Sequence, residues 1–283
     1  MNYSHYAVRE RVSALPRDKR PQEWWHPSSL GQCLVGSYLK RIGAEQDEPT
    51  PGDSVEHMET GKGIEEGIVK VYKRLAEAEG VDADTQRELT NEEYNVKGKP
   101  DLILTQNDSI FDVKEVKAIN CRSYQYKAKA GQIAQENHAL QLGSYLWMLG
   151  LPLGFEGHIV YRKMCWPDVI EVPVVLTEEL LGKITMEFEI LNRALKGTLP
   201  PPLPEPVVLE ETYVFNRYSK VTETRTAWKV NWRAGYCKYH KQCSGPTWRE
   251  EAEALAVEKN KELTEEKDVR QIDSTTSEGS PGV

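Results

Sequence analysis

Residues 98–117 read GKPDLILTQNDSIFDVKEVK, and this stretch decides the fold. Leu102-Ile103-Leu104 and the run Ile110 to Val116 flank Gln106-Asn107-Asp108-Ser109, a turn-forming cluster, so the segment predicts a β-hairpin. Gly98-Lys99-Pro100-Asp101 opens its first strand and Glu115-Val116-Lys117 closes its second. Residues two apart on a strand share a face, so Glu115 and Lys117 point the same way. A turn of odd length brings Asp101 opposite Glu115. Two adjacent carboxylates repel unless a cation sits between them, and hard oxygen donors suit Mg²⁺ or Mn²⁺. A lysine beside such an ion can orient or deprotonate water and stabilise a charged phosphoryl transition state. The same strand carries Asp112-Val113-Lys114 on its opposite face. A two-residue turn at Asn107-Asp108 would put Lys114 across from Asp101 and favour that pair instead. In the first register, Lys114 reads as DNA-facing or solvated.

Working outward, Glu56 to Glu79 carries Ile64, Ile68, Val71, Tyr72 and Leu75 at helical spacing, with Gly80 as the stop. Pro27-Ser28-Ser29-Leu30 reads as an earlier helix start with serines available as caps, leading through Cys33 to Gly43. After the hairpin, a helix is expected over roughly 130–149, closed by Gly150 and Pro152. Strands are expected at about 157–162 and 169–176, around a turn at Trp166-Pro167-Asp168. Thr177 caps a further helix, with Glu178 and Glu179 in its first turn, running to Lys196. The organisation read from this is a polar arm (1–27), a core (28–198), a linker LPPPLPEP (199–206), a cysteine-containing module (207–249) and a charged, largely disordered tail (250–283).

The chain has 283 residues and a net charge of −8, which counts mildly against a nucleic-acid partner. The average hides a gradient, because the tail is rich in Glu whereas Lys114, Lys117, Arg122, Lys127 and Lys129 cluster. No apolar run approaches the ~20 residues of a membrane span, and the first residues lack a signal-peptide core. A cytoplasmic location is the expectation. In such a compartment the five cysteines do not read as a disulfide framework.

At Pro100-Asp101 and Glu115-Val116-Lys117 the chain resembles the PD-(D/E)XK nucleases, and more particularly their RecB branch, which includes the CRISPR-associated Cas-four-like nuclease. In that branch an upstream helix supplies a His or Glu. Thr60-Gly61-Lys62-Gly63-Ile64-Glu65-Glu66 fits, with Glu65 in that place. A Gln-x-x-x-Tyr motif follows the lysine strand, matched by Gln141-Leu142-Gly143-Ser144-Tyr145. The resemblance spans roughly 28–245. It implies an α/β, restriction-endonuclease-like core, a mixed sheet flanked by helices, with a cysteine-containing extension. It also implies a Mg²⁺- or Mn²⁺-dependent DNA nuclease, an exonuclease by preference. Glu65, Asp101 and Glu115 would be metal ligands and Lys117 the catalytic lysine. Gln141 and Tyr145 would position the strand or the lysine.

Branch members with an iron–sulfur cluster use one early cysteine and three late ones, the last pair spaced Cys-x(5)-Cys. Cys33, Cys237 and Cys243 match, but Ala234 stands where the remaining cysteine belongs. A fourth ligand would come from His240, Cys121 or Cys165. A [4Fe–4S] cluster, a zinc ion held by Cys33, Cys237, Cys243 and His240, and no metal all stay open. Arg122, Lys127 and Lys129, with Tyr124 and Tyr126 interleaved, are the expected grip on DNA, single-stranded ends above all. His57, His138 and His158 read as structural or surface residues. Recombination or CRISPR-adaptation proteins are the implied partners. The rivals are a non-catalytic DNA-binding or assembly subunit on the same fold and a structure-specific endonuclease.

Overall fold

The computed structural model describes residues 22–47, 52–120, 134–165, 168–198, 205–215, 222–231, 238–239, 242 and 247–276. Cys121, Arg122, Lys127, Lys129, Cys237, His240 and Cys243 lie outside the described residues. The chain divides into two compact units, 1–202 and 203–283.

The first unit runs α1 (Leu34–Arg41), α2 (Gly52–Glu79), β1 (Asp82–Asp84), β2 (Leu89–Asn91), β3 (Val96–Gly98), β4 (Leu102–Gln106), β5 (Ser109–Ile119), α3 (Glu136–Met148), β6 (Glu156–Lys163), β7 (Val169–Val175) and α4 (Glu178–Leu195). Five strands form a mixed sheet in the order β1-β4-β5-β6-β7, in which β5 and β6 alone are parallel. A parallel pair needs a crossover, and α3 lies in it. Side chains alternate across the sheet. Ile103, Val113, Ile159 and Tyr161 face Leu142 and Leu146 of α3, while Leu102 and Leu104 face Ala76 and Tyr72 of α2. The sheet is therefore covered by α3 on one side and α2 on the other.

The hairpin resolves the register question in an unexpected way. Its turn has two residues, Asn107 and Asp108, both with positive φ as a tight type I′ hairpin turn requires. Carried through unbroken, that turn would set Lys114 across from Asp101. A β-bulge intervenes: Thr105 pairs with Ile110, but Leu104 pairs with Asp112, so Phe111 is the extra residue. Leu102 then pairs with Lys114, and one step further along, Asp101 falls beside Glu115.

Other expectations shift. Trp25, placed in a polar arm, is buried and bridges to Val96. Pro27–Ser29 form only a short 3₁₀ turn, and α1 starts after Cys33, whose sulfur accepts from Gly36 N–H at 3.4 Å. α3 begins at Glu136. Thr177 does cap α4, accepting from Leu180 N–H at 3.1 Å. The spaced apolar residues of α2 are not a buried stripe: Val71 is 61% and Leu75 53% exposed. α2 also holds Gly63 and Gly67, where an added Cβ would meet nothing within 4 Å. Each glycine costs a helix interior roughly 0.5–1 kcal/mol relative to Ala.

The second unit is a hairpin of β8 (Val207–Phe215) and β9 (Thr222–Val230) with α5 (Trp248–Thr276). The tail from 250, expected to be largely disordered, is thus helical to Thr276. Trp248, Ala252 and Ala256 succeed each other at four-residue spacing and bury against Val207, with Trp228 and Val230 packed beside them. Asn260 then accepts from Trp228 N–H and donates to Trp228 O, both at 2.8 Å. Among the described residues, no helix is long and apolar enough to cross a membrane.

Candidate active site

The site forms where β4 gives out and β5 continues. Beyond Lys114, β5 is paired on one side only, with β6, so its amides on the other side need acceptors. Asp101 Oδ2 accepts from Val116 N–H at 2.8 Å. Glu65, reaching from α2, accepts at Oε1 from Ala118 N–H at 3.1 Å. Two carboxylates thus extend the ladder of β5 and are drawn together by it. Glu65 and Asp101, 36 positions apart in sequence, meet because a strand edge asks for the same thing twice.

Glu115 lies between them on the α3 side and is only 3% exposed. Its Oε1 accepts from Lys117 Nζ and from Gln141 Nε2, both at 2.6 Å. Gln141 also donates to Tyr145 Oη at 3.2 Å, the two side chains lying one turn apart on α3. The Tyr145 ring packs against Gly98, in the segment leading into Asp101. Gly98 makes this approach possible, since a Cβ there would stand 2.8 Å from both the Tyr145 ring and Pro27. Glu115 Oε2 has no hydrogen-bond partner among the described residues. A buried carboxylate oxygen left unpaired is costly.

The electrostatics follow from this crowding. Burial, reinforced by the charges of Asp101 and Glu65, pushes Glu115 up to about 7. Burial also raises Asp101 and Glu65 above the usual carboxylate range. Burial alone would pull Lys117 down, yet Glu115, with Asp101 and Glu65 behind it, holds it above the ordinary lysine value. Lys117 is therefore an ammonium, and it supplies the positive charge that three close carboxylates need. Among the described residues, no three His, Cys, Asp or Glu side chains stand as a ready-made metal cage. The reason is visible in the partners: Asp101 and Glu65 each commit an oxygen to β5, and Glu115 commits one to Lys117 and Gln141.

All six residues singled out in the sequence, Glu65, Asp101, Glu115, Lys117, Gln141 and Tyr145, meet in this cluster. Gln86 was missed. It has positive φ and donates to Asp101 Oδ1 at 3.0 Å, and no pattern around it in the sequence marks that role. Lys114 is neither DNA-facing nor solvated. It is buried on the α2 side, 2.8 Å from Asp112 and 2.9 Å from Glu171, with Tyr72 donating to Glu171 and His158 Nδ1 2.9 Å from Asp112. His158 thus has a structural partner, and His138 Nδ1 lies 2.9 Å from the Tyr161 hydroxyl. Cys33 is buried at the start of α1. Cys165, a candidate fourth ligand, is instead disulfide-bonded, and a disulfide sulfur is no thiolate ligand.

No family model matches the chain, and no curated protein matches it. Several solved structures are distantly similar in fold. An alkaline exonuclease (LHK-Exo) from Laribacter hongkongensis shares 12% identity at a TM-score of 0.46, covering 62% of this chain and 89% of that one. LHK-Exo in complex with dAMP shares 14% at 0.44, covering 61% and 92%. SSO0001 shares 15% at 0.43, covering 85% and 94%. Likenesses this distant assign no activity, and the side-chain geometry has to carry it.

Proposed function

We propose that this chain is a divalent-metal-dependent DNA nuclease, an exonuclease by preference, with the cluster around Glu115 as its active site. The observation that carries the reading is the meeting of Glu65, Asp101, Glu115 and Lys117 at one strand end, with Glu115 Oε2 buried and unpaired. The donor set fits a hard ion: three carboxylates and, among the described residues, no His or Cys hydrogen-bonded to them. Glu115, Asp101 and Glu65 would hold Mg²⁺ or Mn²⁺. When bound, such an ion supplies a water of lowered pKa and polarises the scissile phosphate.

The chain's own side chains do the rest. Gln141 fixes the orientation of Glu115, and Tyr145 fixes that of Gln141, so the carboxylate is held before any ligand arrives. Lys117 Nζ keeps its proton and offsets negative charge, first of the carboxylates and then of the phosphoryl group as it gains charge in the transition state. A [4Fe–4S] cluster or zinc at Cys33, Cys237 and Cys243 stays a separate proposal, resting on sequence spacing.

The test uses end-labelled linear and circular single-stranded DNA with Mg²⁺, Mn²⁺ or EDTA. The expected result is degradation of the linear strand with either metal, none in EDTA, and resistance of the circle. Cutting of circles would make the enzyme an endonuclease. Binding without cleavage in every condition would make the chain a non-catalytic DNA-binding subunit.

A further inference from the structure

Glu65 is the one carboxylate of the site that comes from α2, and little apolar surface fixes where that helix lies. Ala76 is buried against Leu102 and Leu104 with Tyr72 packed beside it, while Val71 and Leu75 are exposed. Two polar contacts of α2 with the sheet stand seven residues apart. Glu65 accepts from Ala118 N–H, and the Tyr72 hydroxyl donates to Glu171 on β7. Seven residues are about two helical turns, so Glu65 and Tyr72 share the face of α2 that lies on the sheet.

Glu171 belongs to a partly buried ionic group. Lys114 Nζ lies 2.9 Å from Glu171 Oε2, 2.8 Å from Asp112 Oδ2 and 5.2 Å from the centroid of the Tyr72 ring. Burial alone would push Glu171 up, yet Tyr72 and Lys114 hold it below the ordinary carboxylate value. Burial alone would pull Lys114 down, yet Asp112 and Glu171 hold it above the ordinary lysine value. Such a pair seldom adds stability over apolar packing of the same volume, and what it can add is direction. Apolar contact lets a helix slide and roll on a sheet, whereas a hydroxyl aimed at one carboxylate does not. The strand registers place this contact close to the site. Glu171 pairs with Val160 and Val160 with Val116, so the carboxylate holding Tyr72 sits one side-chain row from Ala118 on the same face.

We propose that Tyr72, Glu171 and Lys114 are positioning residues, which set the roll and the register of α2 on the sheet and so deliver the Glu65 carboxylate to its place beside Asp101. They act through the helix and touch neither metal nor DNA. Asp112 holds Lys114 from the other side, with His158 Nδ1 2.9 Å from its second oxygen. The consequence for metal binding rests on the nuclease reading, and the consequence for the Ala118 amide does not.

The test compares wild type with Tyr72→Phe, which keeps the ring and removes only the hydroxyl, and with Glu171→Ala, which removes the acceptor. Amide hydrogen exchange followed by NMR reports on Glu65 through Ala118 N–H, and Val116 N–H, held by Asp101, is the internal control. In both variants Ala118 should exchange at least about fivefold faster, with Val116 unchanged. Titration with Mn²⁺, the free ion counted by electron paramagnetic resonance, should show affinity about tenfold weaker in both variants. Cleavage at saturating Mn²⁺ should persist. Added to Glu65→Ala, Tyr72→Phe should weaken Mn²⁺ binding no further, because the residue it positions is gone. Equal changes at the two amides, or at neither, would overturn the proposal and leave the ionic group a matter of overall stability. A Tyr72→Phe penalty on Mn²⁺ of the same size with and without Glu65 would overturn it too. A wild type that takes up no Mn²⁺, while Ala118 alone responds in the variants, would overturn the nuclease reading and keep the positioning role.

Discussion

Glu115 makes the metal-free protein pH-sensitive in a direction opposite to that of ion-paired surface carboxylates. Its folded value of about 7 lies above its ordinary 4.5. A raised carboxyl favours the folded state when protonated, so the benefit is complete below pH ~4.5 and is lost as pH rises through the folded value. The difference is worth about 3 kcal/mol, at roughly 1.4 kcal/mol per unit. For a unit of this size that is a fall of roughly 6–12 °C in Tm, most of it between pH 5 and 7. His26, which burial lowers, works in the opposite sense: its contribution is present above about pH 6.5 and lost as pH falls. The measurement must therefore be a difference. Denaturant unfolding of wild type and Glu115→Gln in EDTA, at pH 5 and pH 8, isolates Glu115, because His26 is common to both. Wild type should lose about 3 kcal/mol relative to the variant on going to pH 8. Mg²⁺ at about a hundred times its Kd should then restore ~2.7 kcal/mol to wild type alone. A wild-type-minus-variant difference that stays constant, or grows with pH, refutes the account of Glu115 as a carboxylate strained by burial.

Four further outcomes are expected. Lys117→Ala should abolish cleavage with the fold intact. Lys114→Ala should instead lower stability by about 3 kcal/mol, since Asp112 and Glu171 lose their buried cation, while the folded fraction still cuts; melting curves beside a cleavage assay separate the two. Ala252→Asp places a charge where α5 meets its hairpin and should destabilise the second unit by about 3 kcal/mol or more, seen as loss of protection of 207–276 in proteolysis. If the cysteines hold an iron–sulfur cluster, anaerobically purified protein will be brown with absorption near ~400 nm, and Cys243→Ala will bleach it; stoichiometric zinc without iron would replace that proposal.

The candidate site was legible because its members sit in short motifs tied to elements that sequence marks well: a hairpin with Asn-Asp at its tip, and a helix closed by Gly150. The register was not. Whether one extra residue is squeezed out of a strand depends on packing on both faces, and Phe111, 49% exposed, carries no signature of a bulge. Lys114 was misplaced for a related reason. Its partner Glu171 lies 57 positions away, on a strand that is not even adjacent, so spacing says nothing of the pair. α2 misled in the other direction, because apolar periodicity states what a helix could bury and not what is present to cover it. For α5, the docking surface is one tryptophan and two alanines, too small to stand out against its charged length.

The bulge at Phe111 has a consequence for how this strand can vary. β5 carries two acid-x-lysine triplets, Asp112-Val113-Lys114 and Glu115-Val116-Lys117, one on each face of the sheet. A shift of one residue in register flips which face each side chain occupies relative to its partner strand. Drawing Phe111 into regular pairing would bring Lys114 opposite Asp101 and turn Glu115 away, whereas deleting Phe111 would leave Asp112 opposite Leu104 and Asp101 beside Glu115. The strand should accordingly accept replacement of its exposed bulge residue, and even its loss, provided that Asp112 stays opposite Leu104.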